Sequence, residues 1–144
     1  MIRQMQKEDA EYIAAIESRL FGTPWSEKSI SDCIDNDLYY CYVIEENAQP
    51  VGYICLMAVV GEMELLRIGV ESAHQRKGYA DSLMGRMLLL ADELATENIF
   101  LEVRSKNEPA ISLYRKYGFV PEGVRKKYYH NPEDDAVIMW RRKE

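Results

Sequence analysis

Glu64-Leu65-Leu66-Arg67-Ile68-Gly69-Val70 is followed by Glu71-Ser72-Ala73-His74-Gln75-Arg76-Lys77-Gly78-Tyr79-Ala80 and then by apolar residues at Leu83, Met84, Met87, Leu88 and Leu90. The first seven residues are mostly apolar and fit a strand. Glu71–His74 is a polar break, and the closing spacing is helical, so the stretch reads as strand, loop and helix. A helix start presents free backbone N–H groups and a positive dipole end, which suit an anion. Gly78 has no Cβ to keep a phosphate from the backbone, and Arg76 and Lys77 add positive charge beside it. Two readings stand side by side: a pyrophosphate cradle on a helix tip, or an ordinary βα turn that needs a glycine and carries surface charge. No G-x-x-x-x-G-K-[ST] loop is present, and Gly78-Tyr79-Ala80 lacks the later glycines of a dinucleotide fingerprint.

The rest of the chain sets bounds on what such a loop can serve. Its 144 residues fit one domain, 1–144, with a core of useful size. Hydrophobic residues make up 47% and charged residues 29%, an ordinary globular balance. The net charge of -6 disfavours direct nucleic-acid binding and requires local positive charge at any polyphosphate site. Cys33, Cys41 and Cys55 form no C-x-x-C pair, so neither a disulfide framework nor a metal site is expected. Residues 1–7 carry no signal-peptide core, and no apolar run approaches membrane-spanning length; a cytoplasmic location away from the membrane is expected.

Taken in order, Ile2–Met5 fits a short strand, and Lys7–Phe21 fits an amphipathic helix through Tyr12, Ile13, Ile16 and Leu20. Gly22-Thr23-Pro24 breaks it. Ser26 can cap a second helix, with Trp25 and Ile30 at the two positions of a hydrophobic staple; Trp25 could also shape a groove. Tyr39–Glu45, a turn at Glu46–Pro50, Val51–Val60, Gly61-Glu62 and Glu64–Val70 read as an antiparallel meander. After the long helix, Asn98–Arg104 must return parallel to Glu64–Val70. Asn107 can cap a further helix, Pro109 is tolerated in its first turn, and Gly118 can end it. Phe119–Tyr129 and Asp135–Arg141 are final strands joined by a polar turn at His130–Asp134. The order is β-α-α-β-β-β-α-β-α-β-β, an α+β class with a mixed sheet.

Glu102 stands out within its strand. Leu101 and Val103 face one way, while Phe100, Glu102 and Arg104 face the other. A mid-strand carboxylate costs desolvation unless it meets water, a cation or a chemical task, and Arg104 along the same face offers a simple ion pair. Tyr114 shares a helical face with Ile111 and Gly118 and can be packing alone. His74 and His130 lack ligand-spaced partners, so no metal is expected.

Gln75-x-x-Gly78-x-Ala80 after an apolar strand resembles the (Q/R)-x-x-G-x-(G/A) loop of the GNAT acetyltransferases. Residues 101–114, Leu101-Glu102-Val103-Arg104 through Asn107 to Leu113-Tyr114, with Tyr117-Gly118-Phe119, are similar to the mark of RimI-type N-α-acetyltransferases. That group acetylates the N-terminal alanine of a small ribosomal-subunit protein. Pro24-Trp25-Ser26 and Arg125–Met139 share the likeness, which spans about Ile2 to Met139. Ser105 stands one place early, His74 replaces an aromatic residue, and Glu71-Ser72 replaces Asp-Pro.

The resemblance implies a single GNAT-like domain with a mostly antiparallel sheet, splayed between two parallel strands that end at Val70 and Arg104, and helices on both faces. It implies acetyl-CoA as co-substrate and the N-terminal peptide of a ribosomal protein as partner, with a monomer or weak dimer expected. Glu102 would be the base, directly or through water, and Tyr114 the acid toward the sulfur and a cofactor contact. Ile68, Gly69 and Val70 would pair with the pantetheine arm, Gln75, Arg76, Lys77, Gly78, Tyr79, Ala80 and Asp81 would hold the pyrophosphate end, and Asn107 would touch the arm while capping its helix. Other readings are a GNAT enzyme acting on a lysine side chain or small-molecule amine, and a non-catalytic acyl-CoA-binding module.

Overall fold

The apolar strand and the helix after it form the middle of the molecule. The computed structural model describes residues 1–143. In it β4 (Glu62–Val70) runs through a short 3₁₀ turn at Ser72–His74 into α3 (Tyr79–Glu93). Before them come β1 (Ile2–Gln4), a 3₁₀ turn at Lys7–Asp9, α1 (Ala10–Leu20), α2 (Glu27–Asp35), β2 (Tyr39–Glu46) and β3 (Gln49–Val59). After them come β5 (Asn98–Arg104), α4 (Glu108–Lys116), β6 (Val120–Tyr129) and β7 (Asp134–Arg142). The order of helices and strands is the one expected, and the strands join one sheet in the order β1-β2-β3-β4-β5-β7-β6.

Alternation along the strands gives the sheet two dry faces. Val43, Tyr53 and Cys55 pack under Ile13 and Ile16 of α1 and Ile30 of α2. Tyr42, Ile54, Leu56 and Leu65 pack on Leu83, Met84, Met87 and Leu90 of α3. Ser26 caps α2 by accepting from Ser29 N–H, which puts Trp25 and Ile30 in one cluster as a staple requires. Asn107 accepts from Ala110 N–H to cap α4, and Gly118, at φ +91°, follows its end.

Two details differ from the sequence reading. The helix expected from Lys7 begins at Ala10, because Asp9 turns back to accept from Gln6 N–H and tightens residues 7–9 into a 3₁₀ turn. The turn at Glu46–Pro50 contracts to Asn47 and Ala48, both at positive φ, so β3 begins at Gln49 and ends at Val59. Pro50 fits in that strand because it lies beside a bulge at Ile44/Glu45. The cysteines are free, and the register places Cys41 directly across from Cys55.

The feature that positions the site is the parting of β4 from β5. Their parallel pairing runs only from Glu62↔Asn98 to Glu64↔Phe100. Two residues later β4 bulges, with Cys55 facing Arg67 and Leu56 facing Leu65. The extra residue, Leu66, bends β4 along β3. β5 stays paired with β7 through Arg104. The two strands therefore diverge, and the inner edges of Leu65–Val70 and Leu101–Arg104 have no strand partner in each other.

Candidate active site

A cavity of about 540 Å³ fills the opening between the diverging strands. Ile68, Gly69, Val70, Gln75 and Ala80 line it from β4 and α3. Glu102, Asn107 and Tyr114 line it from β5 and α4. Eight of the residues singled out from sequence thus meet at one space. Arg76, Gly78, Tyr79 and Asp81 line a smaller adjoining hollow that shares Val70, Gln75 and Ala80. Lys77 lines neither; its Nζ lies 3.5 Å from Glu46 Oε2.

Glu102 and Tyr114 reach the cavity from opposite sides of the sheet. Ile99, Leu101 and Val103 are buried beside α3 and α4, so Glu102 projects to the other face. Tyr114 belongs to the α3–α4 side, where it is 7% exposed and packs against Phe119. Its hydroxyl has no hydrogen-bond partner among the described residues, and burial raises its pKa well above the ordinary tyrosine range.

The Glu102–Arg104 ion pair that the sequence suggests does not form. Arg104 turns away and donates to Pro132 O at 2.6 Å and His130 O at 2.9 Å, with its guanidinium over the Tyr129 ring. Arg125 takes its place, with Nε 2.9 Å from Glu102 Oε2. The carboxylate's charge also raises the Tyr128 pKa, while burial, with Glu102 second, pushes Tyr129 up to about 12. Glu64 is held above the ordinary carboxylate range, first by burial and then by Glu102. A further cation is electrostatically welcome beside two such carboxylates.

The end expected to take an anion is also built from backbone. Gly78 adopts φ +82° as the N-cap of α3 and offers no capping side chain. The first-turn N–H groups of α3 find no acceptor among the described residues, and they open on the hollow beside Gln75 and Arg76. Gln75 Nε2 donates to Val70 O at 3.0 Å, which fixes the loop to the end of β4. This donor set fits a pyrophosphate. Besides Lys77, two of the residues assigned to that end are engaged elsewhere. The Tyr79 hydroxyl donates to Glu46, and Asp81 accepts from Lys116 Nζ at 2.6 Å and from the Tyr117 hydroxyl at 2.7 Å.

Sequence reasoning missed Glu46, which gathers Lys77, Tyr79 and His74 beside the hollow. It also missed Glu17 and Arg67. Glu17 is fully buried at the end of α1, and Arg67 Nε stands 3.4 Å from its Oε1. Arg67 was visible as a charge in an apolar strand, the signal that exposed Glu102. Glu17 carried no such mark in an amphipathic helix.

The family model described as acetyltransferase (GNAT) family matches residues 5–119. A Bacillus subtilis protein provisionally named a ribosomal protein bS18-alanine N-acetyltransferase is 31% identical, over 96% of this chain and 93% of its own length. The Escherichia coli K12 ribosomal protein bS18-alanine N-acetyltransferase is 28% identical, over 96% and 94%. The crystal structure of the E. coli ribosomal-protein-S18-alanine N-acetyltransferase superposes with a TM-score of 0.90 at 27% identity, covering 97% of this chain and 91% of that one. Ard1 from Thermoplasma volcanium superposes at 0.89 and 27% identity, covering 100% and 97%.

Proposed function

The chain belongs to the acetyltransferase (GNAT) family, and on that premise we propose that it transfers the acetyl group of acetyl-CoA to the N-terminal α-amine of a protein, namely the N-terminal alanine of a small-subunit ribosomal protein. The observation that supports this most is the delivery of Glu102 and Tyr114, from opposite faces of the sheet, to one cavity between β4 and β5. The names borne by the Bacillus and Escherichia relatives support the acceptor. The reaction belongs in the cytoplasm, beside the ribosomal acceptor.

Acetyl-CoA supplies the activated acyl thioester. Gly78 and the α3 N-terminus would receive its pyrophosphate, and the unpaired edge of Ile68, Gly69 and Val70 would pair with the pantetheine arm. A backbone N–H on that edge would stabilise the developing oxyanion. Glu102 would accept the proton of the incoming ammonium, directly or through one water. An α-amine, with pKa near ~7.7–8.0 against ~10.4 for lysine, can be deprotonated by a modest base at neutral pH. Tyr114, kept protonated by its burial, would hold its proton at Oη for the departing sulfur. Phe21 and Tyr129 stand on the Glu102 side of the cavity, where the acceptor peptide approaches.

Incubation with acetyl-CoA and peptides beginning with Ala, Ser or acetyl-blocked Ala, read by mass, tests the reading. Acetylation of the free Ala peptide but not the blocked one supports it. Modification only of an internal lysine, or of small amines alone, would replace the acceptor. Cofactor binding without any transfer would leave an acyl-CoA-binding module.

A further inference from the structure

We propose that Arg67 and Arg104 are a matched pair of positioning residues that hold the two rims of the acceptor mouth, one rim on each diverging strand. This rests on the peptide-acetyltransferase reading above. Arg67 lies on β4 and Arg104 on β5, both beyond the last parallel pair at Glu64↔Phe100. Each guanidinium bonds to backbone carbonyl oxygen in a loop, one for Arg67 and two for Arg104, and stacks on an aromatic ring in or next to that loop. Arg67 Nη2 donates to Thr23 O at 2.8 Å and lies 4.6 Å from the Phe21 ring centroid and 5.1 Å from that of Trp25. Arg104 donates to His130 O and Pro132 O and lies 4.5 Å from the Tyr129 ring centroid. The planar fork of arginine can bond in its plane and stack with its face at once, which a lysine cannot do.

The two rims also meet. A Cβ on Gly22 would fall 2.1 Å from Asn131 O, so the loop between α1 and α2 touches the turn between β6 and β7. Phe21 and Tyr129, the stacking partners of the two arginines, both line the catalytic cavity.

Glu17 explains why Arg67 can stand where it does. Its carboxylate is wholly buried, a costly placement unless every oxygen is partnered. Oε1 accepts from Trp25 N–H at 2.8 Å and faces Arg67 Nε, while Oε2 accepts from the Tyr53 hydroxyl. The rim at residues 21–25 is thus tied to β4 by a guanidinium and to α1 by a carboxylate. Because each rim hangs on its own strand, the distance between β4 and β5 sets the width of the mouth.

The test uses the full chain with Arg67→Gln, Arg104→Gln and Gly22→Ala, each checked for folding by circular dichroism. The peptide KM should rise about tenfold in each, the effect expected when an ordered loop must be re-ordered on binding. The acetyl-CoA Kd should stay within about twofold, which general damage to the fold would not allow. Gly22→Ala leaves both arginines intact and pries the rims apart by steric contact, so it tests the rims even where an arginine variant folds poorly. Amide hydrogen exchange gives a readout that needs no acceptor. Arg67→Gln should speed exchange at residues 21–25 and Arg104→Gln at residues 130–133, each without the other. Wild-type inactivity on every peptide would overturn the acceptor reading, and the exchange pattern would still decide the rims. Unchanged peptide KM with unchanged exchange, or equal losses of peptide and acetyl-CoA affinity, would overturn the pairing.

Discussion

Arg125 Nε stands 2.9 Å from Glu102 Oε2, although β7 lies between their strands. The reach is possible because Ala136, opposite Arg125 on β7, presents only a methyl group. The arginine side chain is 59% exposed, so the pair contributes roughly 0–1 kcal/mol to stability. Its expected functional effect is larger, since under the proposed base role of Glu102 an incoming ammonium would compete with the guanidinium for one carboxylate. Arg125→Gln should lower the peptide KM severalfold and leave Tm within about 3 °C. Steady-state kinetics and a thermal melt check both, and a higher KM would mean that Arg125 holds the peptide instead.

Glu102→Gln keeps the shape of the side chain and removes its basicity. Turnover should fall by about 10²–10⁴-fold, the usual worth of a positioned base. The acetyl-CoA Kd, measured by calorimetric titration, should not change. Equal losses of rate and cofactor affinity would remove Glu102 from the proton-transfer role.

Tyr114 stays protonated through the working range because burial raises its pKa. Tyr114→Phe should therefore lower kcat by about 10²-fold without moving either limb of the pH–rate profile. An alkaline limb that vanishes in the variant would show that the hydroxyl titrates within that range, contrary to its buried setting.

Gly78→Val meets two obstacles. The φ of +82° strains any β-branched residue, and the new side chain would stand in the space proposed for the phosphate. A Cβ there would meet no protein atom within 4 Å, so crowding by the protein itself is not the cause. The acetyl-CoA Kd should rise at least about tenfold. Gly85→Ala, within α3 and also free of contacts, serves as the control. It should stabilise the protein by about 0.5–1 kcal/mol and leave cofactor binding alone.

Asp9 accepts from Arg3 Nη1 at 2.8 Å and Nη2 at 2.9 Å and from Gln6 N–H at 2.7 Å. The Arg3 bonds, ahead of the backbone bond, hold its pKa below the ordinary carboxylate value. The stability it adds is fully present above an unfolded-state pKa of about 3.9 and is lost as pH falls through the lower folded value. Asp9→Asn should cost about 1–2 kcal/mol at pH 7 and flatten the acid loss of stability below about pH 4. Urea unfolding at several pH values measures both, and an acid slope equal to that of the wild type would dismiss the linkage.

Local features of this protein were legible because local rules produce them. Ser26 and Asn107 cap their helices through groups three residues away, and Gly118 ends α4 because it tolerates positive φ. Alternation alone put Glu102 on the face away from Leu101 and Val103. The Gln75–Ala80 loop and the Leu101–Phe119 segment carried the family likeness in contiguous residues. What the sequence left open was which distant side chains meet. Arg125 rather than Arg104 faces Glu102, Cys41 lies across from Cys55, and Arg67 and Arg104 each seize a loop far along the chain. Those pairings follow from strand register and from local irregularities, such as the bulge at Leu66 in β4 and the shift between Pro121 and Gly123 in β6, which move whole rows of side chains at once. The energies that choose a register are summed over the packed sheet, so only the tertiary structure decides them.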